Sequence, residues 1–176
     1  PQRAIIVGGG PVGSRVAAIL GEYRHDPVVV ERNADRCEQL RDSRHGLVVH
    51  GDGTDPAVVG QTDPERADTF AALTGSPGTN RALCRRVKAR VGTIRTVARG
   101  ESSDDSAAFG DAVDETVHPM VAGAKAVAGA MLGYDQRVCS VPTSGFDLVE
   151  FAVDPRAPAA NRELRTVAFP SGSHVV

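Results

Sequence analysis

The stretch Ala4-Ile5-Ile6-Val7-Gly8-Gly9-Gly10-Pro11-Val12-Gly13 runs from apolar residues straight into a glycine-rich turn. The apolar run reads as a buried strand. Val12, Val16, Ala17, Ile19 and Leu20 then recur at helical spacing, which predicts a helix from Val12 to Leu20. The glycines fall in the turn between the two. Gly8 permits a tight bend, Gly10 leaves room for a pyrophosphate against the backbone, and Gly13 lets the helix press on the strand. Amide groups at a helix start, together with the positive end of its dipole, are suited to meet phosphates. Pro11 fits the first helical position because no amide hydrogen is needed there.

A glycine motif alone is weak in a chain with 19 glycines, and its context is what strengthens it. The next apolar run, Val28-Val29-Val30, ends at Glu31, which lies 18 residues beyond Gly13. That order of strand, glycine turn, helix, strand and terminal carboxylate is the pattern of a dinucleotide or adenine nucleotide grip. Gly8, Gly9, Gly10, Pro11, Val12, Gly13 and Glu31 are therefore candidate ligand-binding residues. A Glu31 carboxylate accepts hydrogen bonds from ribose hydroxyls and repels a 2′-phosphate, so NAD is favoured over NADP. Arg32 has two readings, a guanidinium that accommodates an extra phosphate or a solvated charge after a strand.

Composition sets the class. The chain has 176 residues, 41% hydrophobic and 24% charged, enough for one domain of ordinary size and part of another. The net charge is −2, and apart from Lys88 and Lys125 the cationic residues are dispersed arginines, which gives no case for nucleic acid as a partner. Cys37, Cys84 and Cys139 contain no C-x-x-C pair, so neither a zinc site nor a disulfide framework is indicated, and reduced cysteines of an intracellular protein are expected. The histidines are scattered, and no metal site is expected. No apolar stretch approaches the roughly 20 residues that a membrane helix needs.

Strand and helix signals alternate through most of the chain, which predicts a doubly wound parallel sheet of the Rossmann type with helices on both faces. Helices are expected over Ala34 to Arg44, from Pro56, over Asn80 to Arg90, from Glu101 towards Phe109, and over Met120 to Leu132. Strands are expected at Leu47 to His50, Thr69 to Leu73, Thr96 to Ala98 and Glu115 to Val117. The Ala- and Gly-rich helix from Met120 packs on the sheet or against another subunit. From Gly133 the pattern changes: Phe146 to Val153 alternates like a half-buried strand, Asp154 to Pro158 breaks it, Asn161 to Leu164 reads as a helical turn, and Val175-Val176 begins a further element. The expected division is a nucleotide domain over residues 1–132 and the start of a small α+β domain over residues 133–176.

With these residues placed, the sequence resembles the RCK family, the TrkA-N or KTN domains that regulate potassium conductance. The resemblance is carried by the glycine stretch, by Val30-Glu31-Arg32-Asn33, and above all by His50-Gly51-Asp52-Gly53-Thr54-Asp55. It continues through Ala67-Asp68-Thr69, Thr74, Asn80, Val97-Ala98-Arg99 and Val117-His118-Pro119, and the segment from Phe146, with Asn161-Arg162-Glu163-Leu164, looks like the opening of the family's C-terminal domain. The resemblance assigns Asp52, Gly53 and Thr54 to a turn along the adenine, and likens Arg99 to a family arginine near the nucleotide and the subunit contact. Local physics agrees for the turn: Asp52 can bond its own backbone, Gly53 permits close approach, and the amide and hydroxyl of Thr54 can reach base edges, although an Asx turn without a ligand has the same sequence. Thr74 and Gly75, at the end of the fourth strand, border the crevice where such sheets bind ligands. The chain departs from the family at Ser76-Pro77-Gly78-Thr79, where acidic residues are frequent, and at Met120, where Glu is frequent.

The resemblance implies a regulatory domain, not an enzyme, that binds NAD or NADH, with ATP or ADP as the alternative. It implies a membrane potassium channel or transporter as partner, a homodimer or larger ring, and a cytoplasmic place against the inner face of the membrane. Two other readings remain open. A small NAD-dependent oxidoreductase needs a proton donor, for which His118 is the candidate, since Tyr23 and Tyr134 lack a lysine four residues on. An oligomerisation module with a permanently bound nucleotide would use the small-residue helix as its contact.

Overall fold

The computed structural model describes residues 1–43, 46–131, 137–140, 147–150 and 153–167. The chain forms two compact units, Pro1–Ala122 and Gly123–Val176. In chain order the elements are β1 (Arg3–Val7), α1 (Pro11–Glu22), β2 (Asp26–Glu31), α2 (Ala34–Ser43), β3 (Leu47–His50), α3 (Pro56–Gly60) and β4 (Thr69–Ala72). They continue with α4 (Pro77–Arg90), β5 (Arg95–Arg99), α5 (Ser103–Phe109), β6 (Glu115–Val117) and α6 (Pro119–Met131).

The six strands of the first unit form one sheet in the order β3-β2-β1-β4-β5-β6. Every neighbouring pair is parallel. The order reverses between β1 and β4, and that switch point is where open α/β sheets leave a crevice at the carboxyl ends of their strands. Alternation along β1 explains its unbroken apolar run. Ile5 and Val7 join a core with Phe70, Leu83 and Val87, whereas Ile6 joins Ala17, Val29, Leu40 and Leu73 on the opposite face. Covering both faces stabilises the sheet by about 2 kcal/mol for each large side chain withdrawn from water.

The predicted doubly wound sheet is present, and the boundaries moved where capping decided them. α4 starts at Pro77, not Asn80, because Ser76 accepts a hydrogen bond from the Thr79 amide and proline occupies the first turn. α1 extends from Pro11 to Glu22, with proline again in the first turn. α6 buries none of its residues. Cys37 and Cys84 are buried free thiols, and burial pushes Cys84 up to about 12.

In the second unit, β7 (Arg137–Ser140) pairs antiparallel with β8 (Asp147–Glu150). β8 occupies the expected strand region, while β7 was not foreseen. Asp154 turns the chain as expected, its carboxylate accepting from the Arg156 amide at 2.7 Å. The short helical turn lies at Leu164–Thr166, later than predicted, because Asn161 takes a left-handed φ of 58°. Arg44, Leu132, Tyr134, Phe146, Val175 and Val176, and the side chain of Cys139, lie outside what is described.

Candidate functional site

A crevice of about 580 Å³ opens at the carboxyl ends of the strands, at the switch point. Of the residues singled out from sequence, Gly8, Gly10, Pro11, Val12, Glu31, Arg32, Asp52, Gly53, Thr54, Thr74, Gly75 and Arg99 all line it. Gly9 and Gly13 do not line it, and both support the turn from behind. A Cβ on Gly13 would stand 1.9 Å from the Gly8 carbonyl oxygen, and one on Gly9 would stand 2.6 Å from Leu40 Cδ1. Gly8 itself has φ of +106°, a conformation that L side chains rarely adopt. At Gly10, by contrast, a Cβ would meet nothing.

The start of α1 has no side-chain cap and no acidic residue in its first turn. α3 and α4 are instead capped by Asp55 and Ser76. The exposed amides of α1 therefore open at the crevice with the positive end of the helix dipole behind them.

Glu31 ends β2 and is only 5% exposed. Its Oε2 accepts the Gly9 amide at 2.7 Å and its Oε1 accepts the Asn33 amide at 2.8 Å. The buried charge is thus solvated by backbone donors, and the carboxylate holds the glycine turn against β2. Each oxygen retains a lone pair for a further donor.

In the Asp52-Gly53-Thr54 turn Asp52 bonds its own backbone as expected, whereas Thr54 is turned inward. Thr54 gives both its amide and its hydroxyl to Asp52 Oδ1, each at 2.8 Å, so neither points outward to a base edge. These two bonds are the main reason why the Asp52 carboxyl lies below the usual range, with the Arg32 charge adding to them, and the group stays an ionised acceptor. A Cβ on Gly53 would stand 2.3 Å from Val7 Cγ1, so that glycine is demanded by packing on β1. The Thr54 carbonyl accepts from Arg86 of α4.

Arg36, Ser76 and Thr79 also line the crevice and were missed from sequence. Arg36 stands in the first turn of α2, four residues after Arg32; Ser76 and Thr79 belong to the capped start of α4. Three arginines, Arg32, Arg36 and Arg99, thus line the same crevice as two carboxylates already engaged by backbone or turn donors. Neither His118 nor Tyr23 lines the crevice. Among the described residues no three His, Cys, Asp or Glu side chains converge as metal ligands, and no helix is long and apolar enough to cross a membrane.

Sheet order, glycine turn and terminal carboxylate make the first unit a Rossmann-type domain of the nucleotide-binding class. Residues 4–119 match the TrkA-N domain, and the chain belongs to that family, which includes the RCK domains of potassium channels. Its relatives include a Trk system potassium uptake protein TrkA homolog from Pyrococcus abyssi, 27% identical over 180 residues, an alignment covering 98% of this chain and 78% of the relative. Among solved structures, the GsuK channel bound to NAD superposes with a TM-score of 0.65 at 21% identity, covering 80% of this chain and 27% of the channel chain. The Shewanella denitrificans Kef CTD in its AMP-bound form superposes with a TM-score of 0.65 at 15% identity, covering 76% of this chain and 84% of the other. At these identities the two superpositions show the fold.

Proposed function

We propose that this chain is a non-catalytic nucleotide sensor that biases a membrane potassium channel or transporter, working at the cytoplasmic face. One observation carries the reading: the uncapped start of α1, the Glu31 carboxylate and the Asp52–Thr54 turn border a single crevice at the sheet's switch point. The α1 amides would hold a pyrophosphate, Glu31 would accept ribose hydroxyls on its remaining lone pairs, and Asp52 would face the adenine as an acceptor. NAD or NADH fits this layout, with ATP or ADP as the alternative; the likeness to NAD-bound and AMP-bound proteins supports the adenosine half common to all of them. A ligand moves a partner between states only through unequal affinity for the two conformations. The three arginines beside the crevice make affinity responsive to ligand charge, which differs between NAD and NADH and between ADP and ATP.

Thermal unfolding with NAD, NADH, NADP, AMP, ADP and ATP tests the site. A true ligand at 100 times its Kd should add about 2.7 kcal/mol to stability, with NAD ahead of NADP. If none of the six raises the unfolding temperature, the reading fails. His118, the candidate proton donor of the oxidoreductase alternative, stands beside Gly100 and Asp105 and does not line the crevice, which favours the sensor reading.

A second copy of the chain is the proposed cover for α6. Met120, Val127 and Met131 are 70%, 60% and 82% exposed, and Gly123, Ala124 and Ala126 keep the helix surface shallow enough for close approach. Sedimentation equilibrium should show a dimer, and Val127→Lys should weaken it by about 30-fold, the effect of an interface hot spot. A monomer at every concentration would refute this assignment.

A further inference from the structure

Asn80 is completely buried in a helix that is otherwise amphipathic, and its carboxamide makes four hydrogen bonds. Oδ1 accepts the Thr74 amide at 3.0 Å and the Thr74 hydroxyl at 2.6 Å. Nδ2 donates to the Thr74 carbonyl at 3.1 Å and to the Arg99 carbonyl at 2.8 Å. One side chain on α4 therefore ties the carboxyl end of β4 to that of β5. Parallel strands carry no mutual hydrogen bonds beyond their ends, so nothing in the ladder itself fixes the gap between Thr74 and Arg99.

This clamp also changes what the β4 turn can offer a ligand. Thr74 spends its amide, carbonyl and hydroxyl proton on Asn80. Ser76 Oγ is occupied by the amide and hydroxyl of Thr79. Beside them the crevice is lined by Gly75, where an added Cβ would meet nothing, and, across the gap, by Arg99. Asn80 fixes the backbone next to each, through the Thr74 carbonyl on one side of the gap and the Arg99 carbonyl on the other.

A dinucleotide in a switch-point crevice lies across it, with adenosine by β2 and its second half by β4 and β5. Resting on the nucleotide-site reading above, we propose that Asn80 is the positioning residue for the second half of the dinucleotide, setting the Gly75 peptide and Arg99 for the group beyond the pyrophosphate. It has no part in holding the adenosine half. Mononucleotide and dinucleotide therefore separate its role from a general contribution to folding.

Asn80→Asp keeps the shape but turns an oxygen towards the Thr74 and Arg99 carbonyls. Calorimetric titration should show the Kd for NAD rising about 10-fold, the effect of one unsatisfied buried group, with the Kd for AMP unchanged within about 2-fold. Equal losses for NAD and AMP, or a folded variant that binds both normally, would overturn the proposal. So would a wild-type chain that binds NAD no better than AMP. Should the variant not fold, the wild-type Asn80 side-chain amide resonances supply the same answer: they should shift when NAD is added and stay in place with AMP, and the reverse or no shift with either overturns it. A wild-type chain that binds neither compound rejects the nucleotide site itself, an outcome distinct from all of these.

Discussion

Gly13→Ala will lower the stability of the first unit by about 2 kcal/mol, and its midpoint of thermal unfolding by roughly 8 °C. Two opposing terms produce that figure. Alanine is favoured over glycine inside a helix by about 1 kcal/mol. Against this, the new methyl would stand 1.9 Å from the Gly8 carbonyl oxygen and 3.0 Å from its carbon. The obstacle is backbone, so no rotamer change relieves it, and overpacking at such a point costs about 3 kcal/mol. α1 must lift away from the glycine turn, which loosens Ala17 from the core it shares with Ile6 and Val29. Gly78→Ala is the control. Gly78 lies in α4 with open space around it, so the same substitution should raise stability by about 0.5 kcal/mol. Denaturant midpoints for the pair would decide the matter, and a neutral Gly13→Ala would mean that the close contact between α1 and Gly8 is not a constraint on the fold.

That contact was legible in the sequence because everything that defines β1, α1 and β2 is local. Period, glycine spacing and a carboxylate at a strand end are each read within about thirty residues of one another. Gly9 and Gly53 were singled out as candidate ligand-binding residues, whereas the structure gives each a packing role. Gly53 leaves no room for a side chain because Val7 packs against it, and Gly9 because Leu40 does. Such demands come from neighbours distant in the chain. The same holds for Asn80, whose partners Thr74 and Arg99 lie 6 and 19 residues away; a single asparagine in a helix carries no pattern that announces four bonds. The start of α4 is a different case, since Ser76-Pro77 is a helix-start signal that was present and was not used. β7 escaped because four residues are too few to show a period, and its strand character comes from pairing with β8.

Gly10→Asp should separate stability from binding by moving them in opposite directions. Gly10 sits at the N-cap of α1 with φ of −66° and ψ of −170°, an extended conformation open to any residue, and an added Cβ meets nothing. An aspartate there can accept the orphan amides of the first turn, as Asp55 does for Ala57 at 2.8 Å in α3. Capping and a favourable charge at the helix start together should raise the stability of the unliganded chain by about 1 kcal/mol. The carboxylate would then occupy the place proposed for a pyrophosphate, consume its donors and repel its charge. Affinity for every nucleotide that binds the wild-type chain should fall about 1000-fold, equivalent to about 4 kcal/mol. The wild-type chain thus leaves a side-chain cap unused at the place where the proposed pyrophosphate would bind. A more stable variant that still bound nucleotide as tightly as the wild type would show that phosphates do not meet α1 at all.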